Sequence, residues 1–172
     1  MNRVTRTLVW LRRMFHCRGF GIQSPTDYRF VRYVINEKWP YYAYDTLPDD
    51  GDWLKRKLGR LYFRLANDRQ PRRIIDKVGI IDYVRAGCHK AVQVEDADMV
   101  EMAVVPIDSD YDRLLNRCDE QSVVVFQDIY RQMPLWHTIE SDSRVTVTFD
   151  LYYCGIVLFD KKRQPQKYIV NF

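Results

Sequence analysis

Four acidic residues follow short apolar runs: Asp76 after Arg73-Ile74-Ile75, Glu95 after residues 90–94, Asp108 after residues 100–107, and Asp128 after residues 122–127. A run rich in β-branched residues reads as a buried parallel strand, and ligands of open α/β sheets bind outside the carboxyl ends of such strands. Carboxylates placed there suit a nucleotide-type ligand, whose hydroxyl and amino groups they can accept. The plainer reading is that acids end strands because they accept backbone N–H groups of the turn or helix that follows. The residues after Asp76 sharpen the choice. A cofactor-binding turn needs glycines so that backbone and ligand can approach closely, yet the chain reads Lys77-Val78-Gly79-Ile80-Ile81.

Other reactive types are scattered. Cys17, Cys88, Cys118 and Cys154 form no C-x-x-C pair, and His16, His89 and His137 stand as far apart. Neither a zinc site nor a Cys/His pair is expected from such spacing, and the cysteines read as reduced, mostly buried thiols of a cytoplasmic protein.

The elements that must position the acids fall into two blocks, a helical region over 1–70 and an α/β region over 71–172. Residues 3–15 set Val4, Leu8, Leu11 and Phe15 at helical spacing with arginines opposite, a basic amphipathic helix. It either packs on its own domain or reaches a membrane surface or a partner. Residues 18–23 read as a loop. Ser24-Pro25 then starts a helix through Tyr28, Val31, Val34 and Ile35, with Ser as N-cap and Pro at the first helical position. Asp52 caps another from Trp53 to about Asp68. Tyr28, Tyr41, Tyr42 and Tyr44 could line a substrate cleft, but packing against the sheet is the favoured reading. Beyond Pro71, strands over 73–76, 90–94, 100–107 and 122–127 alternate with helices near 80–86, 111–118 and 134–139. Residues 144–152, 155–159 and 167–172 then alternate without helices, and a charged turn over 160–165 separates the last two. An α/β core closed by an antiparallel hairpin fits this order.

The chain has 172 residues, 47% of them hydrophobic and 14% aromatic, so it can bury a core and is not disordered. Its net charge of +4 is too small to indicate nucleic acid by itself. Much of that excess lies in the first 32 residues, where Arg3, Arg6, Arg12, Arg13, Arg18, Arg29 and Arg32 face only Asp27. The apolar stretch 7–11 is cut by Arg12-Arg13, far short of the roughly 20 residues of a membrane span.

Several segments, taken in order, resemble a group of bacterial class I S-adenosylmethionine-dependent methyltransferases. Gly19-Phe20-Gly21-Ile22-Gln23-Ser24-Pro25, with Tyr41-Tyr42-Ala43-Tyr44 later, is similar to the G-[VI]-x-S-P-F-like segment ahead of that group's catalytic domain. Residues 122–130 look like its V-x-x-x-D-D-I-[HY]-W segment, residues 144–159 like V-T-V-T-[IV]-D-L-F-x-x-G-[IL]-V-F-F, and residues 167–172 like its terminal H-F-T-I-R-F strand. These segments are spread from Gly19 to Phe172 in the group's own order. The resemblance implies a Rossmann-like sheet and S-adenosylmethionine as cofactor. It places Asp76, Gly79, Glu95, Asp108 and Asp128 at the cofactor and leaves the catalytic residues unassigned.

Three departures from that pattern bear on activity. Lys77 and Val78 stand where the group has an apolar residue and glycine, and only Gly79 remains, displaced by one. Only Asp96 to Asp98 separate Glu95 from Met99, so a helix–strand–helix block of the family is missing and with it one wall of the adenine pocket. Relatives that bind a divalent metal use positions matching Asp108, Gln127 and Asp128; Gln127 is a weaker ligand than carboxylate, and no metal is expected. The leading expectation is therefore a shortened methyltransferase-like protein, impaired or inactive, that would methylate a small acceptor if active. The alternative is a non-catalytic module that binds a protein partner or its own copy through the N-terminal helix or a bared sheet edge. Nucleic-acid binding through the arginines would be salt-dependent and is not expected.

Overall fold

The computed structural model describes residues 3–17, 19–48 and 51–172; Arg18 lies outside them. Among the described residues seven strands form one sheet in the order β2-β1-β3-β4-β6-β5-β7. These are β1 (Arg73–Asp76), β2 (Val92–Val94), β3 (Val100–Pro106), β4 (Cys118–Gln127), β5 (Val147–Asp150), β6 (Cys154–Leu158) and β7 (Gln166–Ile169). The pairings β1–β2, β1–β3, β3–β4 and β5–β7 are parallel, whereas β6 is antiparallel to both β4 and β5. Six strands thus share one direction, which brings the ends of β1 to β4 to one edge of the sheet. The order turns back between β2 and β3 with β1 in the middle, the arrangement that opens a crevice at strand carboxyl ends.

Alternation along the strands sorts the core into two layers. Ile74, Met102, Val104, Val123, Val125 and Ile156 join one buried cluster, and their neighbours Ile75, Ala103, Val105, Val124, Phe126 and Val157 join the other. Successive side chains of a strand point to opposite faces, so apolar residues at every position mean a sheet covered on both sides. On the first face lie α2 (Pro25–Phe30), α3 (Trp53–Arg69) and α4 (Ile81–Gly87), through residues such as Phe30, Leu61, Leu65 and Val84. On the second lie α5 (Tyr111–Leu115) and α6 (Met133–Glu140), through Leu115, Trp136 and Ile139. Residues of the 1–70 block therefore share a core with the sheet. Gly155 on β6 lies against the buried Trp136 ring, which occupies the space any side chain there would need.

Local capping follows the expected chemistry. The Ser24 hydroxyl accepts the Asp27 N–H at 3.3 Å with Pro25 at the first helical position. Asp52 accepts the N–H groups of Leu54 and Lys55 and starts α3. A wider π-turn over Val31–Ile35 extends α2. The buried Arg64 of α3 closes that end, donating to the carbonyls of Val34 and Ile35 at 2.6 and 2.8 Å and to the Tyr44 hydroxyl.

Two elements depart from expectation. The segment 160–165 does not fold β7 back onto β6; β7 instead crosses and pairs in parallel with β5. Arg163 of that segment bonds the buried Asp27 at 2.8 Å, and Asp27 also accepts the Tyr168 hydroxyl, so charge pins β7 beside α2. The first helix, α1 (Arg3–Arg12), is turned the other way round from a helix packed by its apolar side. Arg6 and Arg13 face the domain, while Val4, Leu8, Leu11 and Phe15 face solvent, Val4 at 64% and Phe15 at 74% exposure. Arg13 donates to the Asp150 carbonyl and carboxylate at 2.9 and 2.8 Å. Among the described residues no helix is long and apolar enough to cross a membrane.

Candidate functional site

The sheet sets all four acids at one edge, but each meets a different fate. Asp76 ends β1, is nearly buried, and accepts three backbone N–H groups of the following turn: Val78 at 2.9 Å, Gly79 at 2.8 Å and Ile80 at 2.6 Å. The chain's own anion therefore holds the donors that a nucleotide-binding turn directs at its ligand. Within the turn Lys77 points to solvent, whereas Val78 is half-buried and packs on the first core cluster. Gly79 adopts φ 77°, a left-handed conformation that suits glycine, with open space beside it.

Glu95 follows β2 directly and is exposed; its neighbour Asp96 pairs with Arg113 at 2.6 Å and with Arg117. Desolvation pushes the Asp96 carboxyl up, but the Ala97 N–H and the two arginines together outweigh it and hold the group below its usual range. Only residues 95–99 connect β2 to β3, so no helix or strand is inserted between them. Asp108 is exposed in the loop after β3. Asp128 sits in a left-handed turn at φ 62°, tolerable for Asp, with Arg131 3.6 Å away. The neighbouring Gln127 accepts the buried Tyr62 hydroxyl at 2.8 Å, which fixes its amide oxygen toward α3. Among the described residues no three Cys, His, Asp or Glu side chains group as metal ligands. Cys88 and Cys154 are buried, and burial pushes the Cys154 thiol up strongly. Tyr41 and Tyr44 pack edge-on against Phe63, while Tyr42 is 94% exposed.

A second place, absent from the sequence reading, lies between α1 and α3. A cavity of about 390 Å³ is lined by Arg3, Arg6, Trp10, Trp53, Lys57 and Tyr153 with Phe172, and among the described residues no acidic side chain borders it. The Arg6 guanidinium lies 3.5 Å over the Trp53 ring, and the Lys57 ammonium lies 5.0 Å from that ring and 4.5 Å from Phe172. Among the described residues neither cation has a carboxylate partner. Burial, then the charges of Arg6, Arg64 and Lys38, push Lys57 down to about 8. A larger cleft of about 700 Å³ shares Trp53, Lys57 and Phe172 and continues along α3 past Tyr41 and Tyr44.

The floor of the cavity belongs to the same end of the sheet. Tyr153 precedes β6, and its carbonyl accepts the Asp128 N–H at 2.7 Å. Tyr152, with φ 70°, is an uncommon left-handed conformation for a bulky residue. It is held by its N–H bond to Asp150 and by stacking on Tyr130 at 5.3 Å. One signal for this place was present in the sequence. Trp53 and Lys57 are four residues apart on one helix, so they share a face. Comparison of the chain with protein-family models, with curated proteins and with solved structures finds no match.

Proposed function

We propose that this chain is a reduced class I S-adenosylmethionine-dependent methyltransferase-like domain whose methyl transfer is lost or severely impaired. The observation that carries the reading is the bonding of Asp76. Its two oxygens hold the N–H groups of Val78, Gly79 and Ile80. A turn whose donors are already engaged by a near-buried carboxylate offers a cofactor little beyond van der Waals contact. The surroundings point the same way. Val78 anchors the turn into the core, and Glu95 stands exposed after the edge strand β2, beyond which no further strand lies among the described residues. Methyl transfer depends on holding a sulfonium and a nucleophile in line, so a lost cradle removes most of the rate. The residues present do not fit the cofactor, and no catalytic step is assigned to them.

Calorimetric titration with S-adenosylmethionine and its demethylated product tests the reading. The expected result is no binding at millimolar ligand. Micromolar binding weakened by Glu95→Ala would overturn it and make the chain a working cofactor-binding protein.

A further inference from the structure

We propose that the cavity between α1 and α3 binds a small organic anion that joins a planar ring to a phosphate or carboxylate group. This site is separate from the β1 turn, and the inference stands whether or not a cofactor binds there. Three observations converge. Arg3, Arg6 and Lys57 border one cavity with no acidic side chain among its lining residues. Like charges gathered in a partly desolvated space repel, and an anion placed among them turns each repulsion into an attraction. Most of the remaining wall is aromatic, Trp10, Trp53, Tyr153 and Phe172, with Thr7 and Val9 completing it. Flat rings pack on flat rings by offset or edge contact, which gives a ligand with its own ring a better fit than a bare inorganic anion. The cavity volume of about 390 Å³ lies within the roughly 300–1,000 Å³ that small-molecule sites occupy.

The architecture holds this wall in place. Arg13 ties α1 to Asp150 at the end of β5, and Trp53 meets Tyr153 edge-on at 5.9 Å. The anionic group would lie against Arg6 and Lys57, on the wall that Arg3 shares, and the ring toward Trp10 and Tyr153. Arginine can engage phosphate or carboxylate through two parallel N–H bonds, while lysine acts as a point charge.

The test uses the full chain titrated with phenyl phosphate, benzoate and inorganic phosphate, read by calorimetry and by tryptophan fluorescence. Phenyl phosphate or benzoate should bind at least about tenfold more tightly than inorganic phosphate. Lys57→Met and Arg6→Gln should each weaken that binding by about tenfold or more, while Arg113→Gln, on the far edge beside Asp96, should leave it unchanged. Thermal melts of each variant separate lost binding from lost folding. Absence of binding at millimolar ligand in the folded wild type would overturn the proposal. So would equal loss in the Arg113→Gln control, or binding confined to a long single-stranded oligonucleotide and abolished by salt.

Discussion

At the end of β1 the chain supplies its own partners for the charge it buries, whereas between α1 and α3 it gathers cations and supplies none. Asp76 is desolvated, yet three N–H donors surround it, so the carboxylate costs little to bury and leaves nothing for a ligand. Lys57 is half-buried with no carboxylate partner among the described residues, beside a second cation on the same ring. Physically the first arrangement is complete and the second is not. Acids at strand ends suggest a binding site by their position, but position alone does not distinguish a ligand's partner from a turn's own fastener. The state of their hydrogen bonds does.

The largest way to break this comparison is to remove Asp76. Asp76→Ala leaves three backbone donors without their acceptor, one of them the buried Ile80 N–H. Unfolding by urea should show a loss of about 3 kcal/mol. An unchanged midpoint would mean that the carboxylate is free, and the β1 end would then return as a ligand site.

A smaller effect is expected where α1 meets the sheet. Arg13→Leu removes both guanidinium bonds to the buried Asp150. The Tyr152 N–H still bonds that carboxylate at 2.7 Å, so the loss should be about 2 kcal/mol, less than for an ion pair left wholly uncompensated. Hydrogen exchange in α1 should quicken, and phenyl phosphate binding should weaken because the cavity loses a wall. If α1 stays protected and binding is intact, Arg13 is not what holds the wall.

Both variants show what the sequence could and could not reveal. β1 was legible residue by residue, because Arg73-Ile74-Ile75-Asp76 is a short apolar run with breakers on each side. The starts of α2 and α3 were legible because Ser24-Pro25 and Asp52 act within four residues of themselves. The placement of the acids at one edge also followed from the alternation of strands and helices. What could not be read is which side of α1 faces inward. Periodicity groups Val4, Leu8, Leu11 and Phe15 together, but the choice is made by Asp150 and Trp53, far away in sequence. The path of β7 depends likewise on Arg163 reaching Asp27 across 136 positions. The cavity draws its walls from the beginning, middle and end of the chain, and no local pattern announces such a meeting.

The smallest effect sharpens the comparison most, because its sign is opposite to the others. Arg6 from α1, Arg64 from α3 and Lys38 from the segment before Pro40 all press on Lys57, and burial lowers it further, to about 8 from 10.5. Below pH 8 the ammonium is charged in folded and unfolded chains alike, and the folded state carries the full penalty. Between pH 8 and 10.5 the folded chain releases its proton first, so the unfolded chain binds more protons and stability rises with pH. Above that range lysine is neutral in both states and the penalty is gone. Lys57→Met should therefore stabilise the protein at pH 7, by about 1 kcal/mol once the water still reaching the side chain is allowed for. The gain over wild type should shrink through pH 8–10.5 and then vanish. Tyr153, raised by its own burial, titrates in both proteins, so the difference between their melting curves isolates Lys57. The same substitution should weaken phenyl phosphate binding, and wild-type affinity should fall as Lys57 loses its proton. A variant that gains stability while losing the ligand marks a residue kept at a cost to the fold. One that loses stability would make Lys57 a fastener like Asp76, and the two regions would no longer differ.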